Sequence, residues 1–270
     1  LQSMMMMVFG QILDHDIDLT VMSSSFKSIA DYSRKSDITC GSDGCDTSES
    51  EECSPIMVPD GDPGFKTKKC IKFVRSKPIP DVNCDRNVRQ QLNKITSYID
   101  VSFVYGSTRM ELEALRNKSA TNRGLLRTQD HPMDRHMKKL LPTTTKEANC
   151  RGFTDTKQCF QAGDARANEH HALTILHTIF MREHNRLETK LHEINPHWDG
   201  ERLLQEARKI NGAQMQYMVY NEYLPLTLGR DAMRKYGLEP QTSGYYTGYQ
   251  ANVDASTSNV FATAAFRYGH

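Results

Sequence analysis

The chain has 270 residues, 38% of them hydrophobic and 25% charged, a globular composition large enough for one sizeable core or two small ones. A formal net charge of +1 gives no bulk electrostatic attraction to nucleic acid or to an anionic membrane. No hydrophobic run reaches the roughly 18 residues needed to span a bilayer, so no transmembrane segment is expected.

The chain opens on Leu1 and closes on His270 inside an apolar, helix-compatible stretch, so residues 1–270 are expected to form one partial domain truncated at both ends. The run Met4 to Met7 lacks a basic leader and passes straight into the next motif, which argues against a signal peptide. That motif is Phe9 to Asp18, where His15 lies between Asp14 and Asp16. Run as a helix, Gln11, Asp14 and His15 share a face, whereas Asp16 is turned about 100° away. One face could hold a cofactor and the other a cation; a solvated acidic turn is the plainer alternative.

Residues 34–90 are rich in turn formers and hold Cys40, Cys45, Cys53, Cys70 and Cys84, which suggests a long cross-linked excursion. Cys150 and Cys159 follow, and no CxxC pair has zinc-finger spacing. Disulfides are the expected use, hence an oxidising, extracellular compartment, with Cys150 to Cys159 a candidate local loop. Asn117-Lys118-Ser119 is a glycosylation sequon and adds mild support for secretion.

Apolar positions Met110, Leu112, Leu115 and Leu125 predict a short helix between 108 and 126, and 127–160 reads as loop. The strongest helical periodicity lies between Arg166 and His192, and a second helix is predicted from Asp199 to Tyr223, ended by Pro225. Residues 230–256 lack a period, and 257–270 reads as the start of another helix.

Three constellations could carry chemistry. Arg166 and Glu169, at i and i+3, place a guanidinium and a carboxylate on one face at the mouth of the long helix, although a surface ion pair explains them equally well. Thr96, Tyr98, Asp100 and Ser102 alternate oxygen-bearing residues that suit calcium, and Asp16 would complete the set; an amphipathic strand is the alternative. His170, His171, His177 and His184 could suggest zinc, but no HExxH spacing occurs, and His177 and His184 read better as buried hydrogen-bonding residues.

Taken in order, GQILDHD, TSYIDVSFVYGS, GDARANE, LHTIFMREHNR, NPHWDGERLLQEARKINGAQ, YLPLTLG and AAFRYGH resemble the animal haem peroxidases across nearly the whole chain, leaning towards the peroxidasin, chorion peroxidase and peroxinectin types. The resemblance implies a mainly α chain with the animal haem-peroxidase fold, the N-terminal portion of its catalytic domain, and disulfide-cross-linked loops. It implies haem b as cofactor, hydrogen peroxide as oxidant, and halide or phenolic donors oxidised through a ferryl porphyrin radical. His15 would be the distal proton carrier, Arg166 the distal arginine and Gln11 the distal glutamine. Asp14 and Glu169 would form ester bonds to the haem, Arg267 would pair with a propionate, and His270 would ligate the iron. Calcium would be held by Asp16, Thr96, the Tyr98 carbonyl, Asp100 and Ser102.

At the position where myeloperoxidase bonds a methionine to the haem, this chain has His170. The resemblance then implies that bromide, iodide, thiocyanate or phenols are better donors than chloride. Relatives continue past the proximal histidine, so residues 1–270 alone are expected to bind haem poorly and to be inactive. A haem-free extracellular adhesion or matrix protein on the same scaffold is the alternative, although no RGD tripeptide occurs.

Overall fold

The computed structural model describes residues 3–21, 23–26, 35–79, 89–144 and 159–269. They fall into two compact units, one built from the segment ending at Asp18 with Ile95–Thr257, the other from Leu19–Lys94 with Ser258–Tyr268.

The first unit is helical. Helix α1 (Met4–Ile17) buries Val8, Ile12 and Leu13 and, unusually for a helix end, Asp14, His15 and Asp16 as well. Helix α2 (Ser102–Tyr105) is a single buried turn entered through Val101, whose φ of 56° lies in the left-handed region that a β-branched residue adopts only under local constraint. Helix α3 (Arg109–Leu115) starts on a capping box between Thr108 and Glu111. It is shorter than predicted: after Arg116 the chain doubles back, Arg116 bridging Leu126, so Leu125 is not on the helix. The return brings Gly124 against the backbone of residues 200–204, a tertiary constraint that periodicity does not show.

Helix α4 (His171–Ile194) is capped by His170 and ends at Asn195, just before Pro196. It is preceded by a 3-10 turn, Ala165–Asn168, so the predicted helix begins about one turn later than its polar residues suggested. Helix α5 (Gly200–Met218) is capped by the Asp199 carboxylate, which accepts from the Arg202 amide at 2.8 Å. Leu173, Phe180 and Met181 of α4 and Leu203, Leu204, Ala207 and Met215 of α5 are buried, each large apolar side chain contributing about 1.5–3 kcal/mol. Pro225 does not end this run, contrary to expectation. A π-helical turn, Val219–Tyr223, leads into α6 (Leu224–Leu228), where Pro225 sits in the first turn and needs no amide partner; α7 (Arg230–Lys235) follows. A short antiparallel pair, β5 (Thr143–Thr144) and β6 (Cys159–Phe160), completes this unit.

The second unit is a small, cross-linked loop assembly. β1 (Ser24–Phe26) pairs antiparallel with β2 (Lys35–Asp37), and β3 (Ile56–Met57) with β4 (Cys70–Ile71). Disulfides join Cys40 to Cys53 and Cys45 to Cys70. Ile38, Cys40 and Cys53 with Val74 form its miniature core, too small to hold without cross-links. Cys159 is also disulfide-bonded. Cys84 and Cys150, and with Cys150 the expected local loop, lie outside the described residues. The helix predicted for 257–270 is instead α8 (Asn259–Thr263) and a 3-10 turn, Ala265–Gly269, separated at Ala264. No described helix is long and apolar enough to cross a membrane.

Candidate active site

The C-terminal turn of α1 and the segment 164–170 converge. Asp164 is 2% exposed and caps the 3-10 turn, its Oδ1 accepting from the Arg166 amide at 2.8 Å. The same carboxylate takes the Arg166 guanidinium in two bonds, Nε to Oδ1 at 2.9 Å and an Nη to Oδ2 at 2.8 Å. Burial alone would raise the Asp164 carboxyl above its ordinary range. The hydrogen bonds and charge of Arg166, helped by His15, prevail and hold its carboxyl at about 2.

So oriented, Arg166 reaches α1: an Nη lies 3.5 Å from the His15 carbonyl and another 3.6 Å from Asp14 Oδ2. His15 and Asp14 are both buried. On the outer edge, the Gln11 amide donates to the Glu169 carboxylate, which is 56% exposed. His170 completes this edge. Its Nδ1 accepts from the Leu173 amide at 3.3 Å, which assigns the ring proton to Nε2, and Nε2 then donates to Gln11 Oε1 at 2.7 Å. The five distal residues expected from the sequence, Gln11, Asp14, His15, Arg166 and Glu169, are therefore brought together: an imidazole, a fixed cation, an amide and two carboxylates on one edge.

The opposite side of α1 holds the oxygen cluster. The wholly buried Asp16 carboxylate accepts from the Val101 amide at 3.0 Å and the Ser102 hydroxyl at 3.1 Å. The Thr96 hydroxyl and the Ser102 amide both donate to Asp100 Oδ1 at 3.0 Å. The Tyr98 side chain is exposed, and its carbonyl accepts from the Asp100 amide at 2.9 Å. This stretch is a turn rather than the strand its alternation permitted. Burial, reinforced by the Asp100 charge, pushes the Asp16 carboxyl up to about 7. Arg208 lies 3.5 Å from the Asp100 carboxylate.

Arg267 lies in the 3-10 turn of the second unit, and His270 lies outside the described residues. His177 and His184 are spent inside the core: His177 Nδ1 meets the Phe103 carbonyl at 3.1 Å, and His184 bridges the Tyr105 hydroxyl and the Gly124 carbonyl, each at 2.9 Å. With His170 committed to Gln11, no zinc cluster forms among the described residues. Sequence reasoning missed Asp164, although an aspartate two residues before an arginine at a helix mouth is a cap signal. It also missed His170's bond to Gln11, which depends on tertiary placement.

A buried imidazole, a guanidinium, an amide and two carboxylates therefore lie together on a helical scaffold. The family model for animal haem peroxidase matches residues 1–270. The chain is 42% identical over 276 residues to human myeloperoxidase, covering all of this chain and 34% of that protein. It is 40% identical over 276 residues to the human peroxidasin homolog, covering 98% of this chain and 17% of that protein. Among solved structures, peroxidase A from Dictyostelium discoideum superposes with a TM-score of 0.68 at 27% identity, over 98% of this chain and 46% of that one. The chain belongs to the animal haem peroxidase family, and spans about a third or less of the length of these two human relatives.

Proposed function

We propose that the polypeptide carrying this chain is a secreted haem peroxidase that reduces hydrogen peroxide and oxidises halides or phenols. The observation that carries this reading is the clasp of Arg166 on the His15 carbonyl, because it sets a permanent cation beside the one buried imidazole on the α1 face.

The distal residues fit a haem. Glu169 presents its carboxylate on the exposed edge and Asp14 presents one from within, so a rigid planar group could be gripped at two points; Arg267 and His270 would serve a propionate and the iron. When bound, haem supplies the redox centre and makes two-electron chemistry with peroxide accessible. The protein does the rest. An imidazole nitrogen of His15 takes a proton from peroxide and returns it to the departing oxygen, while Arg166 stabilises charge developing on the breaking bond. Gln11, its amide turned by His170, presents a donor to a small polar ligand.

Calcium fits the second cluster, since a divalent cation would relieve the repulsion between Asp16, buried near the end of α1, and Asp100 on the neighbouring turn. Asp16, Thr96, the Tyr98 carbonyl, Asp100 and Ser102 would supply the oxygens. His170 in place of a sulfur link supports a preference for bromide, iodide, thiocyanate or phenols over chloride.

The test uses the full-length protein: its Soret band, and its peroxide-dependent oxidation of chloride, bromide, thiocyanate and tyrosine. His15→Ala should keep the Soret band while lowering kcat/KM for peroxide by about 10²–10⁴. A full-length protein that carries calcium but no haem would establish the matrix-protein alternative and refute the enzyme.

A further inference from the structure

Three side chains on the outer edge of the candidate site fix one another's polarity. His170 caps α4, its Nδ1 accepting from the Leu173 amide at 3.3 Å. An amide N–H only donates, so Nδ1 carries no proton and the proton of the neutral ring stands on Nε2. That Nε2 lies 2.7 Å from Gln11 Oε1 and 3.9 Å from Glu169 Oε2. At the other end of the same amide, Gln11 Nε2 donates to the Glu169 carboxylate.

The Gln11 amide is thereby left one orientation. Turned over, its NH2 would face the Nε2–H of His170 and its carbonyl oxygen would face the Glu169 carboxylate, donor against donor and acceptor against acceptor. Moving the ring proton to Nδ1 to relieve the first clash would set it against the Leu173 amide and lose the cap. An ester at Glu169 would leave the arrangement intact, because an ester carbonyl also accepts and never donates.

Gln11 Nε2 carries two N–H groups, and Glu169 takes one; the second bonds to none of the described residues. Gln11 and His15 stand at i and i+4 on one face of α1, so this second N–H belongs to the side of the buried imidazole. The carbonyl end is closed by His170. What Gln11 offers a small ligand is a donor and not an acceptor.

We propose that His170 is a positioning residue that sets donor specificity: by holding Gln11 with its carbonyl turned away, it favours small anions, halide or thiocyanate, over neutral phenols. The assignment rests on the peroxidase reading. An anion only accepts, and gains from a fixed N–H a charge-assisted bond stronger than a neutral one. A phenol hydroxyl both donates and accepts, so it bonds either end of an amide and is indifferent to the choice His170 makes. Released from His170, the amide would populate both orientations, and the apparent affinity for an anion would fall with the fraction still presenting N–H.

The test compares the haem-loaded full-length protein with His170→Ser, Gln11→Met and the two combined. Serine keeps an accepting oxygen for the α4 cap but is too short to reach Gln11. Dissociation constants for thiocyanate and bromide are read from the Soret shift of the resting protein, KM for bromide and for phenol from turnover, and Tm from thermal melts. His170→Ser should weaken binding of both anions about threefold or more and raise KM for bromide in parallel, while KM for phenol and Tm stay near wild type. Gln11→Met should weaken anion binding by about tenfold. In that background His170→Ser should add nothing, since the imidazole acts only through the amide. Unchanged anion affinity in His170→Ser, an equal loss for phenol, or an undiminished effect in the Gln11→Met background would overturn the proposal alone. A wild-type protein without a Soret band would defeat the peroxidase reading and this assignment with it.

Discussion

Removing the Asp164 carboxylate should cost the candidate site both stability and activity. The carboxyl is held at about 2 against its ordinary 3.8, which corresponds to about 2 kcal/mol of net stabilisation at neutral pH. Deletion costs more than that figure, because Arg166, 16% exposed, is left with only the longer contacts to Asp14 and the His15 carbonyl. A buried ion pair broken on one side loses about 3–5 kcal/mol. Asp164→Ala should therefore destabilise the protein by about 3–5 kcal/mol, and Asp164→Asn, which keeps the cap to the Arg166 amide, by about 2–3 kcal/mol. Because the native carboxyl is depressed, its contribution is complete above pH 3.8 and is lost as pH falls through about 2. The gap between wild type and Asp164→Asn in urea titrations should be full at pH 7 and narrow on approaching pH 2. In the haem-loaded full-length protein, Asp164→Asn should lower kcat/KM for peroxide by about 10²–10³ with the KM for the donor unchanged, and Asp164→Glu should recover part of it. An alanine variant that loses under 1 kcal/mol, or that reacts with peroxide at the wild-type rate, would refute this role.

Burial lowers the His184 imidazole to about 4, so the unfolded chain takes up a proton near 6.5 while the native chain does not; stability complete above 6.5 is lost as pH falls towards 4. Between pH 7 and pH 5 the wild type should lose about 2 kcal/mol more than His184→Gln, measured by denaturant titration at both values. Glu188 has no exposed surface and takes the Arg123 fork at 2.8 and 2.6 Å and the Gly124 amide at 2.9 Å, so Glu188→Ala should cost about 3–5 kcal/mol in the same assay. At Gly163 a Cβ would lie 2.4 Å from the Gly106 amide nitrogen and 2.5 Å from the Ser102 carbonyl oxygen, both backbone. Gly163→Ala should lower Tm by the equivalent of about 3 kcal/mol. Chelation of divalent cations should lower Tm and slow the reaction with peroxide together; full activity in metal-free protein would break the proposed link between Asp16 and His15.

The long elements were legible because their apolar residues repeat over several turns: α4 and α5 lie where Leu173, Leu176 and Phe180, and Leu203, Ala207 and Ile210, put them. The errors lie where distant contacts decide. Leu125 matches a helical spacing, but Gly124 must approach residues 200–204 more closely than a continuing helix allows. Pro225 reads as a stop, and the π-helical turn before it lets the chain stay helical around it. In the site, helical geometry turns the Asp16 side chain away from those of Asp14 and His15, and it meets the Val101 amide and the Ser102 hydroxyl while Asp14 meets Arg166. The His170 to Gln11 bond was not legible, because it joins residues 159 positions apart.

The stretch of α1 that carries His15 is held in a closed circuit of contacts. On one side, Asp16 anchors α1 to the Val101 amide and the Ser102 hydroxyl, with Val101 itself in the left-handed region. Ser102 begins α2, whose backbone is in contact with Gly163 with no room for a single added carbon. Gly163 is followed by Asp164, which orients Arg166, and Arg166 returns to α1 at Asp14 and the His15 carbonyl. No member of this circuit can shift without moving the next, because its links are backbone contacts and buried charge-assisted bonds rather than surface pairs. A cation at Asp16 and the charge of Arg166 would therefore act on His15 through the same rigid path. Perturbing the 96–102 turn should consequently be felt at the imidazole as a change of position, even though no residue of that turn adjoins His15 in the chain.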